Sequence, residues 1–379
     1  MAAPRTRAVR PLKRTTKADA TGLARRAALK SLFTVNEGPW RWRVGLEAAL
    51  ATALPLTVLT AIGLGQVGLM ASLGSFTALY AAALKRSERL RAQVLVGLGL
   101  VAASSLGVVL AGSAWLTLIG VMLVASLASL LILGFSVGPP GPIMFILVNG
   151  VSAYLSAPAA LGGQGVPGHV VVLLVAAGAA SSLLVAGLPL LLPKVRRSEG
   201  EARPLSKVFG YLELERGRRW VAVRVVAAVL VASLVSVPLG VQRAYWVVLA
   251  AVAILQASHR VPLTVTRAVQ RLLGTLGGVL LFLLAARLGP TGLWLVLLVS
   301  GLQFLTETVV AKNYGLALLF ITPTALVIST AGLGGELGAV VGERVFDTFL
   351  GALVALAVLF VTVWASLKPW RSRAGRHRG

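Results

Sequence analysis

The sequence predicts an all-α polytopic membrane protein of about twelve transmembrane helices, arranged as two parallel six-helix repeats. Three observations lead there. Of 379 residues, 57% are hydrophobic and only 13% charged, against the roughly 25% charged of a soluble globular domain. Too little polar surface remains to cover a water-soluble body. Apolar runs of about 17 to 22 residues recur along nearly the whole chain, each long enough to cross a hydrocarbon layer of roughly 30 Å as a helix. Finally, the connections between runs alternate between basic and nearly uncharged.

That alternation decides what the formal charge of +24 means. In a soluble domain such an excess would point to nucleic acid. Here it is distributed over Arg5 to Arg43, over Lys85, Arg86, Arg89 and Arg91, over Lys194 to Arg219, over Arg260, Arg267 and Arg271, over Lys312, and over Lys368 to Arg378. The intervening connections carry little beyond Arg243, Arg287 and Arg344. The positive-inside rule then places both termini and the middle connection in the cytoplasm of a multi-pass inner (plasma) membrane protein. An even number of spans follows, the bilayer is the partner of most of the surface, and nucleic acid is not expected.

The spans of the first half read approximately 44–63, 66–84, 92–111, 114–134, 140–157 and 168–192. Those of the second half read approximately 220–239, 243–258, 270–287, 291–307, 314–331 and 341–365. Residues 1–43 form a basic tail in which Leu23, Leu29, Leu32 and Phe33 interleave with Arg25, Arg26 and Lys30, the pattern of an interfacial amphipathic helix. Residues 44–192 make the first repeat, 193–219 a basic linker, 220–365 the second repeat and 366–379 a basic tail. A cleavable leader is not expected, because about 43 basic and polar residues precede the first apolar run. Arg43 is echoed by Arg224, and Ser87-Glu88-Arg89-Leu90 by Val269-Gln270-Arg271-Leu272. Six being even, the copies lie parallel, with the expected substrate site at their interface.

Interrupted helices are the first functional candidates, because backbone unwound at membrane depth must be satisfied by protein, water or substrate. Gly138-Pro139-Pro140-Gly141-Pro142 opens the fifth span, and Thr322-Pro323-Thr324 lies within its counterpart, the eleventh. A rigid turn and a tolerated kink are the plain alternatives. Polar groups inside spans come next, since an Asp, Lys or Arg costs about 2.5 to 3.5 kcal/mol at a helix centre. Arg344 and Asp347 share a face of the twelfth span and can pair, with Asp347 a candidate proton acceptor. Glu47 stands one turn after Arg43, which permits the same kind of pair. Gln303 and Glu307, with Arg267, Arg271, Lys312 and Tyr314, can form an anion-selective cytoplasmic vestibule or anchor lipid headgroups.

Asn149 and Gln256 are amides within spans, suited to substrate binding or to bridging helices. His169 is a lone interfacial histidine. Gly274, Gly277, Gly278, Gly97 and Gly99 permit close helix approach. With no cysteine there are no thiolate or disulfide sites, and no metal or cofactor is expected. Walker A, His-Glu-x-x-His and Asp-rich diphosphate motifs do not occur, so no enzyme machinery is expected either.

Arg224, Ala244-Tyr245-Trp246-Val247-Val248-Leu249, Gln256, Arg267 and Gln270-Arg271-Leu272-Leu273-Gly274-Thr275-Leu276-Gly277-Gly278 together resemble the fusaric acid resistance (FUSC) and aromatic acid exporter family. Thr322-Pro323 and Glu343-Arg344-Val345-Phe346-Asp347-Thr348-Phe349-Leu350-Gly351 extend the resemblance over roughly 220–365. Over 40–192 it is weaker. It implies gradient-coupled efflux of aromatic carboxylic acids or similar hydrophobic anions, sometimes with a periplasmic adaptor. The family's sizeable soluble domain is replaced here by a short linker. A homo-oligomer is the other partner considered, and a major-facilitator-type or other efflux carrier of different cargo and a non-transporting scaffold subunit remain as alternatives. The expected substrate pathway comprises Arg267, Arg271, Gln256, Asn149, Thr322, Pro323, Gln303, Tyr245 and Trp246, and the expected proton-coupling groups are Asp347, Arg344, Glu307 and Glu47.

Overall fold

The computed structural model describes residue 32 and residues 34–239, 243–258, 260–330 and 337–374. The expected interfacial helix around residues 23–33 lies outside them, Leu32 excepted. Eleven long elements run through the described residues: α1 (Trp42–Ala61), α2 (Arg86–Leu110), α3 (Ala114–Gly134), α4 (Ile143–Ser156), α5 (Gly168–Gly187), α6 (Arg216–Ser236), α7 (Ala244–Leu255), α8 (Val261–Arg287), α9 (Gly292–Val309), α10 (Tyr314–Ser329) and α11 (Leu337–Ala374). Between α1 and α2, residues 65–79 form consecutive short α and 3-10 turns. Two short helices, Pro193–Glu199 and Leu205–Phe209, mark the linker.

Eight of these helices, α1, α2, α3, α5, α6, α8, α9 and α11, are long and apolar enough to cross a membrane. The other four expected spans fall on α4, α7, α10 and the segment 65–79. The 12 residues of α7 reach only about 18 Å at 1.5 Å per residue. A piece so short is tolerated at depth when protein surrounds its ends. Accordingly, every residue of α7 after Ala244 is buried, and so are residues 69–81 of the broken segment.

Small residues set the packing. Gly178 of α5 lies against the backbone of Ala71 and Ser75, and Gly351 of α11 lies against Val247 and Ala250 of α7. Gly274 and Gly278 of α8 meet Gly315, Leu318 and Thr322 of α10, as their spacing predicts. The most extensive pairings are α1 with α9, α8 with α10, α7 with α11 and α2 with α4, followed by α5 with α2, α6 with α7 and α6 with α3.

Extended chain locks the bundle at its basic end. Asn36 N donates to Lys312 O at 2.9 Å, and Glu213 N donates to Gly134 O at 3.2 Å. Linker carboxylate Glu199 accepts from the first amides of α2, Arg86 N at 2.9 Å and Ser87 N at 3.0 Å, satisfying donors that a helix start leaves open. Glu88 is fully buried and receives Arg203 Nε at 2.9 Å and Nη2 at 3.0 Å.

Asn313 combines two tasks. Its Oδ1 caps α10 through Leu316 N at 2.9 Å, while Nδ2 donates to Leu32 O at 3.0 Å and Thr34 O at 3.2 Å. Loss of such a cap costs about 1 kcal/mol. Asn313→Ala is therefore expected to lower the melting midpoint and to speed proteolysis near residue 34; an unchanged cleavage rate would refute the tether.

Two expectations need correction. Pro323 does not interrupt its span, because α10 runs unbroken from Tyr314 to Ser329. A proline removes one N–H, and neighbouring turns hold the rest of the ladder. Glu47 does not pair with Arg43. It accepts from Arg86 Nη1 at 3.1 Å and from Arg89 Nη1, both on α2, while Arg43 is exposed and lies over the Trp42 ring at 5.4 Å.

Candidate functional site: a cationic cavity between the two halves

Between the halves lies a cavity of about 510 Å³, within the 300–1,000 Å³ range usual for small-molecule sites. Its apolar wall comes from the first half: Leu73, Phe76 and Leu79 of the broken segment, the turn Gly138 to Pro142, and Met144, Leu147 and Val151 of α4. The opposite wall brings Trp246, Leu249 and Gln256 from α7 and its C-terminal end, Arg267 and Arg271 from α8, Gln303 and Glu307 from α9, Tyr314 and Thr324 from α10, and Arg344 from α11.

The Gly-Pro turn does not form an unwound piece of helix inside a span. It precedes α4, with Gly138 at φ 90° and Gly141 at φ 81°, a region that glycine occupies freely. Two side chains hold it against the cavity. Tyr80 donates its hydroxyl to Gly141 O at 2.6 Å, and Gln256 donates Nε2 to Pro140 O at 3.2 Å.

Charge is unbalanced in this space. Arg41, Arg218, Arg267, Arg271 and Arg344 line it, against the single carboxylate Glu307. Arg218 is neutralised by Glu215 at 3.1 Å. None of the other four forms an ion pair among the described residues. Arg271 donates Nη1 to Tyr314 Oη at 2.7 Å, and Arg267 stacks on that ring at 4.2 Å from its centroid. Arg344 is only 2% exposed and stacks on Trp246 at 3.8 Å. Its Nε and Nη1 find no hydrogen-bond partner, nor does Arg271 Nε. Buried guanidinium donors left open in this way are costly, and a ligand carboxylate would satisfy them.

Of the residues expected from sequence, the cavity gathers Arg267, Arg271, Gln256, Gln303, Trp246, Arg344 and Glu307. Asn149 is elsewhere, donating Nδ2 to Ala103 O at 2.9 Å, and so bridges α4 to α2. Thr322 packs on Gly278 of α8, and neither it nor Pro323 lines the cavity, which Ile321, Thr324 and Ala325 reach. Tyr245 lies on the far side of α7. Asp347 is buried one turn from Arg344 without an ion pair to it, and its Oδ2 is unpartnered. Glu47 is consumed by Arg86 and Arg89. His169 is exposed. Sequence reasoning passed over Phe76, Leu79 and Met144, whose apolar character gave no signal distinguishing cavity wall from core.

The cationic wall is contributed chiefly by the second half, and comparison with known proteins falls on that same stretch. The family described as "Fusaric acid resistance protein-like" matches residues 226–358. This stretch is similar to the fusaric acid resistance protein-like domain. It contains the cavity residues Trp246, Gln256, Arg267, Arg271, Gln303, Glu307 and Arg344, while the Gly138 to Pro142 turn lies outside it. The chain is also 33% identical over 126 residues to the uncharacterized membrane protein YvaC of Bacillus subtilis (strain 168), which is 33% of this chain and 20% of that protein. Over 152 residues it is 33% identical to the uncharacterized protein ORF2 of Neisseria gonorrhoeae, covering 39% of this chain and 35% of the relative. The chain thus spans about a fifth to a third of these curated relatives. No solved structure matches it.

Proposed function

We propose that this protein is an inner-membrane secondary transporter, not an enzyme, that exports aromatic carboxylic acids or similar hydrophobic anions. One observation carries the reading: a largely apolar cavity in which four arginines without an ion pair among the described residues outnumber the one carboxylate, Glu307. Aromatic walls at Trp246, Phe76 and Tyr314 suit a ring, and the guanidinium groups of Arg271 and Arg344 suit a carboxylate. A weak acid that enters neutral and ionises inside is trapped as an anion. Its export from a negative interior gains about 2.3 kcal/mol per charge per 100 mV.

Two parallel six-helix repeats, with both termini cytoplasmic, are part of the same proposal. Several pairings recur at equivalent positions: α2 with α4 and α8 with α10, α5 with the broken segment and α11 with α7. The exchange between halves is reciprocal, α1 packing on α9 and α6 on α3. Even the docking of extended chain repeats, at Asn36 with Lys312 and at Glu213 with Gly134.

Against that symmetry one difference supports the function. Arg89 and Arg271 occupy equivalent places. Arg89 is neutralised by Glu47 and donates Nη2 to Ala78 O at 2.7 Å, whereas Arg271 has only a tyrosine hydroxyl. The second copy has kept a cation free for a ligand. Purified protein in vesicles loaded with labelled benzoate is expected to release it when the interior is made negative. Arg271→Ala should slow release about tenfold or more, the loss of one charge-assisted contact of about 1.5 to 3 kcal/mol. Equal rates in vesicles with and without protein would leave a scaffold role as the better reading.

A further inference from the structure

A second cavity, of about 220 Å³, lies towards the other end of the bundle. Its lining includes Ala114, Tyr154, Ala157, Ser233, Val237 and Tyr245. The main cavity takes the first half of α4 and one face of α7 from Trp246 to its C-terminal end, while this one takes the second half of α4 and the opposite face of the start of α7. The two helices, packed on each other, are therefore the wall between both spaces. Consecutive residues face opposite ways: Trp246 lines the main cavity and Tyr245 the smaller one.

The smaller cavity has its own unused polar groups. Tyr245 is 5% exposed, and its hydroxyl has no hydrogen-bond partner. Beside it, Tyr154 accepts from Arg243 Nη2 at 2.8 Å, with the guanidinium 4.8 Å from the ring centroid. Arg243 also pairs through Nη1 with Glu343, next to Arg344 in the chain. The two partners differ in accommodation: the Arg243 side chain is 7% exposed and that of Glu343 40%. Glu343 can swing into water at little cost, whereas Arg243 is held by the tyrosine. A ligand carboxylate can then take the place of Glu343.

Resting on the export reading above, we propose that the smaller cavity is a second, exit-side binding site for aromatic carboxylates, with Arg243, which bonds the lining residue Tyr154, as its cation and Glu343 as the displaceable counter-ion. A ligand leaving Arg344 and Trp246 would pass the α4–α7 wall to Tyr245, Tyr154 and Arg243.

The chain has no cysteine, so Ser233→Cys provides a single thiol in the smaller cavity. Its modification is followed with a membrane-impermeant thiol reagent added to the face opposite the basic termini. Glu343→Gln in that background is expected to raise the labelling rate about fivefold, as loss of a partly exposed ion pair allows. Benzoate is expected to slow labelling, an effect that general loosening would not produce. Labelling indifferent to benzoate in both backgrounds would overturn the site. If benzoate efflux depends on Arg271 while labelling ignores benzoate, only this second site falls. Should benzoate protect the thiol although no variant exports it, the site stands and the export reading falls.

Discussion

Arg344→Gln is expected to abolish anion export while leaving the protein inserted in the membrane. Arg344 is the most enclosed of the cavity's cations, stacked on Trp246 at 3.8 Å with Nε and Nη1 unpartnered. Removing a buried charge from a ligand contact costs about 2 to 5 kcal/mol, and every 1.4 kcal/mol is a tenfold change in affinity. Export should therefore fall roughly thirtyfold or more. Insertion is not expected to suffer, because a buried arginine opposes membrane insertion rather than promoting it. Two further variants isolate the cause. Arg344→Lys keeps the charge but loses the planar fork and the stacking surface, so a partial defect is expected. The double change Arg344→Gln with Asp347→Asn removes the carboxylate that would otherwise stand alone in the bundle. Wild-type efflux from the double variant, at equal protein content, would show that Arg344 does not hold the anion.

The expected anion vestibule was legible because Arg267 and Arg271 stand in a basic connection at the start of the ninth span, on the same side as Gln303 and Glu307 of the tenth. Arg344 stood out separately as a charge sharing a helix face with Asp347. What they lie against was not legible. Arg243 meets Tyr154 across 89 residues of sequence and Glu343 across 100, and nothing local in the chain announces either contact. Helix spacing offered Arg43 as the partner of Glu47. Tertiary packing instead brought Arg86 and Arg89 of α2 to it. Pro323 illustrates a different failure. A proline in a span predicts a break, yet α10 runs continuously through Pro323 with α8 and α9 packed on it. Most apolar runs fall on helices, although α8 begins at Val261 rather than near 270 and α2 at Arg86 rather than near 92. They did not reveal that α7 and residues 65–79 are short pieces buried at the centre, because apolar composition alone does not separate a lipid-facing helix from an enclosed one.

Gly178→Val should be among the most destabilising single changes in the bundle. A Cβ at Gly178 would meet Ala71 O and stand 2.9 Å from Ser75 N. Those are backbone atoms, so no rotamer change makes room and α5 must move away from the broken segment. Overpacking costs about 1 to 3 kcal/mol where side chains give way, and a backbone contact should reach or exceed the upper end. Consequences extend to the site, because Leu73, Phe76 and Leu79 on that segment form the apolar wall of the main cavity. Gly351 of α11, with Val247 O and Ala250 beside it, predicts the same penalty in the other half through α7, the wall that carries Trp246. Gly301 of α9 is the control: nothing lies within 4 Å of its would-be Cβ. There alanine should be neutral or stabilise the helix by up to about 1 kcal/mol. Melting midpoints in detergent distinguish the cases. Substitutions at Gly178 and Gly351 that melt with Gly301→Ala would mean that α5 and α11 do not close on their short partners, and the cavity would lose the scaffold that shapes it.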